Sequence, residues 1–157
     1  MKFTLVKNLS QDPLMRPILL GLLLCIALYL VVDLVVKHYG FGISPSAVNL
    51  TLFGNEDEYI DAISRTSFLE FWHMEIFFIM MILLTLCAVY IRLSGGRKRD
   101  KIIMNIMLLS ALSSLVFLAL GYFVSGHFIE AYSVLFIVWH LTAFYMVVFS
   151  IRNLYRA

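Results

Sequence analysis

The chain has 157 residues, of which 62% are hydrophobic and only 14% are charged, and its mean hydropathy is +0.92. These values exclude an ordinary water-soluble domain, in which about a quarter of the residues are charged. They indicate a polytopic membrane protein. Because the formal net charge is only +2, binding to nucleic acid has no support, and the placement of the basic residues is more informative than their sum.

Four long apolar runs predict four transmembrane helices, since a helix needs about 20 residues to cross the hydrocarbon core. Basic residues lie before the first run, between the second and third runs, and after the fourth run. The positive-inside rule assigns these three regions to the cytoplasm. We therefore predict an all-α membrane protein, a single domain over residues 1–157, built as an up-down bundle with both termini cytoplasmic. We expect it in a bacterial inner membrane, with helices at about 17–37, 67–93, 101–125 and 131–153.

Residues 1–15 are polar, which predicts a short cytoplasmic segment rather than a cleaved signal peptide. The long loop at residues 38–66 is acidic between residues 56 and 61, and therefore fits the outer side. It is either a solvated loop or a docking surface for a quinone or a soluble redox protein. Asn55 followed by Glu58 resembles a capping box, which predicts a short helix through Tyr59, Ile60 and Ile63.

A Trp-His pattern occurs twice, at Trp72-His73 in the second span and at Trp139-His140 in the fourth. In an up-down bundle the second and fourth helices are parallel and diagonal, so their inner faces oppose each other. Both histidines lie about 9–13 Å below the start of their spans, estimated from the helical rise. Two imidazoles at one depth can ligate one ion axially, and Phe77 and Phe144, each four residues after its histidine, would flank a flat ligand.

This arrangement is similar to that of membrane b-type cytochromes, a resemblance of architecture that covers the second and fourth helices. The resemblance implies haem b held by His73 and His140, in a small cytochrome or a haem-bearing subunit of an electron-transfer complex. Hydrolase and kinase functions have no support, because the sequence has no nucleophile with its base and no phosphate-binding loop.

Other interpretations of the histidines stay open. Glu70-x-x-His73 has the spacing of carboxylate-bridged di-iron helices, but that architecture needs two such motifs. A single Cu, Fe or Zn ion held by His73, His140 and Glu70, or an outer site that includes His38 and His127, is a second alternative. In a third, the histidines only join helices by hydrogen bonds, and the protein is a cofactor-free subunit or assembly factor.

Two acidic residues within the spans remain to be explained. Asp33 lies near the outer end of the first span, where it is either solvated or accepts a proton from a histidine ring. Helical periodicity puts His73 and Glu75 on opposite faces, and we expect the His73 face to point into the bundle. Because a lone carboxylate in lipid is costly, Glu75 would then contact another membrane subunit, a second copy of the chain or a proton-linked site.

Overall fold

The computed structural model describes residues 14–156. Over this range the chain is all-helical, which confirms the predicted fold class. It forms α1 (Met15–Gly40), α2 (Pro45–Phe53), α3 (Arg65–Ser94), α4 (Lys98–Phe123) and α5 (Phe128–Arg156), with one 3-10 turn at Glu56–Glu58. Of these, α1, α3, α4 and α5 are long and apolar enough to cross a membrane. The predicted segment at residues 1–15 lies outside the described range except for its last two residues.

The ends of α3 show why the helices begin and end where they do. Ser64 precedes the helix, and its side chain accepts a hydrogen bond from the Ser67 backbone N–H, as a capping residue does. Gly95 and Gly96 follow the helix with φ angles of 71° and 70°, a left-handed conformation that glycine adopts without steric cost. The chain therefore turns sharply and enters α4 at Lys98.

The predicted helix in the long loop is wrong in position. The structure places α2 earlier, at Pro45–Phe53, where Ser44 caps the N-terminus and Pro45 occupies the first turn. Asn55 does act as a cap, but it accepts from the Asp57 N–H of a 3-10 turn only. Tyr59 then takes a left-handed conformation, with φ 55°, and this prevents a helix from continuing through Ile60.

The helix α5 is the centre of the bundle, since it contacts each of the other α-helices in the described range. The helix α1 is peripheral: 22% of its apolar window is buried, against 39% for α5. We call the side with residues 41–64 and the α4–α5 turn the loop end. The opposite side, where Arg97 and Lys98 lie at the α3–α4 turn, is the basic end.

Candidate functional site: a buried charged cluster

Four ionisable side chains meet inside the bundle near its loop end. Asp33 and Lys37 come from α1, Glu75 comes from α3 and His140 comes from α5. Asp33 and Glu75 are 9% exposed, and Lys37 and His140 are 2% exposed. We call these four residues the charged cluster. A charge placed in a membrane interior costs several kcal/mol unless it is paired, so the pairing within this group decides whether the fold tolerates it.

Lys37 is the positive centre of the charged cluster. Its Nζ atom lies 2.5 Å from Oε2 of Glu75 and 3.4 Å from Oδ2 of Asp33. The same ammonium group sits 4.5 Å from the centroid of the Phe136 ring, within the range of a cation–π contact. Asp33 and Lys37 are four residues apart, so the helical repeat puts them on one face of α1. This one ammonium group therefore joins α1 to both α3 and α5.

His140 fixes the position of a further proton. Its Nδ1 atom lies 3.0 Å from the Phe136 carbonyl oxygen, and its Nε2 atom lies 3.0 Å from Oδ2 of Asp33. A carbonyl oxygen can only accept, so Nδ1 carries a hydrogen. The contact between Nε2 and Oδ2 then needs a second proton, held either by an imidazolium ring or by a neutral Asp33 carboxyl group. In both placements the Asp33–His140 pair shares one proton.

This shared proton balances the charge of the whole cluster. With the proton on His140, the two carboxylates are balanced by the Lys37 ammonium and the imidazolium. With the proton on Asp33, the remaining carboxylate of Glu75 is balanced by Lys37. The net charge of the cluster is zero in both cases. Without it, the cluster carries one uncompensated negative charge. The phenols of Tyr29 and Tyr132 also lie within electrostatic range of both carboxylates, and neutral phenols do not replace the missing positive charge.

A cavity of about 260 Å³ reaches the charged cluster from the loop end. Lys37 lines it together with Gly40, Thr51 and mainly apolar side chains. Beyond His140, toward the basic end, the inner face of α5 is closed by the buried side chains of Ala143, Met146 and Val147. Among residues 14–156, the cavity that touches the cluster is therefore at the loop end.

A family model described as a transmembrane helical domain matches residues 42–157. The chain belongs to this family, Aq_1264_TM. The matched range contains α2 to α5, and with them Glu75 and His140, whereas Asp33 and Lys37 lie on α1, before the match begins. No curated protein and no solved structure matches the chain. The family match and the four long apolar helices together show that this is an integral membrane protein whose spans contact the lipid bilayer.

The second span of this Aq_1264_TM member turns the opposite face inward from the one expected. His73, Glu70 and Phe77 are exposed, whereas Glu75 is buried among the inner residues of α3. The expectation that Glu75 points outward to a partner subunit is therefore wrong. The physical reason is twofold. Glu75 lies on the same face of α3 as a buried aliphatic stripe, and Lys37 provides its counter-ion. The stripe is formed by Ile79, Ile82, Leu86 and Val89.

The structure does not bring His73 and His140 together. His73 is on the outer surface of α3, and both ring nitrogens of His140 already have partners. Phe77 is 56% exposed and Phe144 is only partly buried, so the two do not enclose a flat ligand. These residues, as arranged, do not fit a haem with two axial histidines, and the haem prediction remains without structural support.

The alternative metal sites are not assembled either. Over the described part of the chain, no group of three or more His, Cys, Asp or Glu side chains is arranged to hold a metal ion. Glu70, His38 and His127 are all exposed. For Asp33, the second of its two interpretations holds, since the carboxylate is buried and bonded to a histidine ring.

Lys37 is the member of the charged cluster that the sequence analysis does not single out, because it is the last residue of the predicted first span. A signal was available. An acidic and a basic residue four apart on one helix form a favourable pair, and Asp33 and Lys37 are such a pair inside an otherwise apolar run. That pattern predicts a shared buried environment more directly than the Trp-His repeat predicts a cofactor.

Proposed function

We propose that this protein is a proton-linked membrane protein. The charged cluster takes up and releases one proton at the Asp33–His140 pair, and the presence of that proton controls how firmly α1 docks on α3 and α5. The single observation that carries the proposal is the pair of contacts at His140, 3.0 Å to a carbonyl oxygen and 3.0 Å to a carboxylate oxygen. Together they require one proton more than the fixed charges supply.

Charge balance gives this proton its effect. Two unit charges at 4 Å interact by roughly 4 kcal/mol at an effective dielectric constant of about 20, so a net charge in this setting matters. Loss of the proton leaves Asp33 and Glu75 sharing Lys37 alone. The two carboxylates then repel each other across the α1–α3 contact, and the contact weakens.

The helix α1 is suited to respond, because buried charged contacts form part of its attachment to the bundle. It is the least buried of the four spans, and its contacts with α3 and α5 include the ion pair Lys37–Glu75 and the bond Asp33–His140. These charged contacts act together with the apolar packing of Leu23, Ile26 and Leu30, so α1 is held less firmly when the charges lose their balance. Proton release is therefore expected to loosen α1 and leave the α3–α5 core in place.

Access from one side supports a switch rather than a channel. The cavity at Lys37 has enough room for water at the loop end, with Lys37 and Thr51 as its polar side chains, whereas Ala143, Met146 and Val147 close the path on the other side. A proton can exchange with the loop end without crossing the bundle. The protein would then report the proton concentration on one side of the membrane to a partner that contacts α1.

The first test is side-chain nitrogen NMR of the full-length protein in lipid nanodiscs, titrated across neutral pH. We expect one histidine to be bonded at both ring nitrogens and to lose one proton at the alkaline end, and its signals to vanish in His140→Gln. His73→Gln is the matched control, since it removes an exposed histidine on another span, α3. A His140 ring whose protonation never changes while the protein stays folded would contradict the proposal.

The second test measures the position of α1. Spin labels at Leu28 on α1 and Leu141 on α5, both 65% exposed, report the distance between the two helices by electron paramagnetic resonance. Cys25 and Cys87 are replaced by serine so that only the new sites are labelled. We expect the distance distribution to broaden at high pH in the wild type and to stay constant in Asp33→Asn, where the proton is no longer needed for charge balance.

Orientation and location extend the proposal. From the basic residues we infer that the basic end faces the cytoplasm, in a bacterial inner membrane, so that the charged cluster samples the outer side. Cysteines placed at Asp61 and Arg97, which lie at opposite ends, are then labelled by an impermeant maleimide in intact cells only at position 61. A haem and a redox partner at the acidic loop remain untested predictions, which a reduced-minus-oxidised visible spectrum decides.

A further inference from the structure

A second site lies at the basic end, about ten residues beyond the charged cluster on α5. A cavity of about 300 Å³ is lined by the residues Arg99, Tyr145, Val148, Phe149, Arg152 and Asn153. Two of these side chains are guanidinium groups, one from the first turn of α4 and one from the last turns of α5. Nothing in the proton-linked function uses them.

The hydrogen bonds around the cavity orient the Arg99 guanidinium group and leave further guanidinium N–H donors available for a ligand. Arg99 Nη2 donates to the Tyr145 hydroxyl at 3.2 Å, and Asn153 Nδ2 donates to the Leu93 carbonyl at 3.1 Å. The Asp100 carboxylate is 4.0 Å from Arg99 Nε and offsets part of one positive charge. An arginine has five N–H donors, so Arg99 and Arg152 retain most of theirs, and the local balance stays positive.

The remaining walls indicate what binds there. Val148 is 54% exposed on the lipid-facing side of α5, and Phe149 lies beside it. The cavity therefore joins the apolar lining at Val148 and Phe149 to two arginine side chains near the end of the span. Basic pockets at the ends of transmembrane helices bind anionic headgroups, and arginine matches the geometry of phosphate oxygens.

We propose that Arg99 and Arg152 form a binding site for the phosphate of an anionic phospholipid, with the acyl chain along Val148. The site is separate from the charged cluster, because its residues lie at the opposite end of α5 and on α4. A soluble phosphate compound has the same phosphate group, but it has no acyl chain to contact the apolar lining. This difference distinguishes a soluble phosphate compound from a phospholipid as the ligand.

The test uses the full-length protein reconstituted with equimolar phosphatidylglycerol and phosphatidylcholine of the same acyl chains, followed by native mass spectrometry of the retained lipids. We expect phosphatidylglycerol to be retained over phosphatidylcholine. Each arginine near the membrane surface contributes about fivefold to anionic lipid binding, so Arg99→Gln and Arg152→Gln together should lower the preference about twenty-five-fold. Both side chains are exposed, so folding should be unchanged, and circular dichroism checks this.

Arg97→Gln is the matched control, since it removes the same charge two residues away at an exposed position that does not line the cavity. It should lower the preference clearly less than Arg99→Gln or Arg152→Gln does, because Arg97 contributes only to the surface charge. Tyr145→Phe keeps both charges but frees Arg99, and a loss of about threefold is expected for one hydrogen bond. An equal loss in Arg97→Gln would mean a diffuse surface charge and would overturn the site. Competition by glycerol 3-phosphate at matched concentration would overturn the assignment to a lipid.

Discussion

The helices α1 and α4 both pack on α5, but they are attached by different physical means. The α1 contact includes buried charges, with Lys37 and Asp33 bonded to Glu75 and His140. The α4 contact has no ionisable side chain between Ile102 and Gly121 and depends on close approach of small residues. Under the proposed function only the α1 contact depends on protonation, and this difference would separate a movable helix from a fixed one.

Lys37→Met is expected to have the largest effect, because it leaves the buried Glu75 carboxylate with no counter-ion while keeping an unbranched side chain of similar length. The proton shared with His140 can balance Asp33 only. Removing one partner of a buried ion pair costs about 3–5 kcal/mol. We expect a loss of that order in the free energy of unfolding, measured in bicelles by steric trapping. Lys101→Met, at an exposed position on α4, is the control and should change little.

Adding Glu75→Gln to Lys37→Met sharpens this test. The double variant removes both members of the ion pair and leaves only Asp33 with its histidine, so the cluster can again be neutral. Replacing both partners is far less costly than breaking a pair, and more than half of the lost stability should return. If the double variant is as unstable as Lys37→Met alone, the cost lies in packing around Lys37, and the electrostatic account of α1 fails.

Asp33→Asn is expected to have a smaller effect, about 1–3 kcal/mol, since His140 keeps a hydrogen-bonding neighbour but loses the carboxylate. Its pH dependence is more informative. If the Asp33–His140 pair releases its proton as proposed, the folded wild type gains an uncompensated charge at high pH, and its stability falls as the pH rises through that release. In the variant, Lys37 and Glu75 balance each other without that proton. Its unfolding free energy should be flat over the same range.

The sequence predicted the spans well because apolar length has a single cause, the thickness of the hydrocarbon core. It predicted the inner face of α3 wrongly because both faces are apolar, and the correct one is selected by a residue on another helix. Glu75 is buried because Lys37 reaches it from α1, and no local pattern in α3 contains that information. His140 was identified correctly as an inner residue, but its partner is a carboxylate on α1 rather than a second histidine.

The capping pattern in the long loop led to a wrong helix prediction, because the backbone conformation of one residue decides where the helix ends. The capping pattern at Asn55 is real, yet a left-handed Tyr59 limits it to a 3-10 turn. A single residue in that conformation is hard to anticipate when it is not glycine. The α2 helix, by contrast, carries Ser44 followed by Pro45, which is a strong start signal that can be recognised from the sequence.

The smallest predicted effect tests the other side of the comparison, the α4 contact. A Cβ atom at Gly121 would overlap Cδ1 of Ile129 on α5, whereas one at Gly21 on α1 meets nothing within 4 Å. Both glycines are helical, so Gly→Ala gains a similar helix propensity of about 1 kcal/mol at each site, and the difference between the two variants isolates the overlap.

Crowding of this kind costs about 1–3 kcal/mol, and the end of an isoleucine side chain can yield, so Gly121→Ala should be about 1 kcal/mol less stable than Gly21→Ala. The difference should be the same at every pH, since no charge is involved. A difference that changed with pH would mean that α4 senses the charged cluster, and the division between a charged, movable contact and a neutral, fixed one would then not hold.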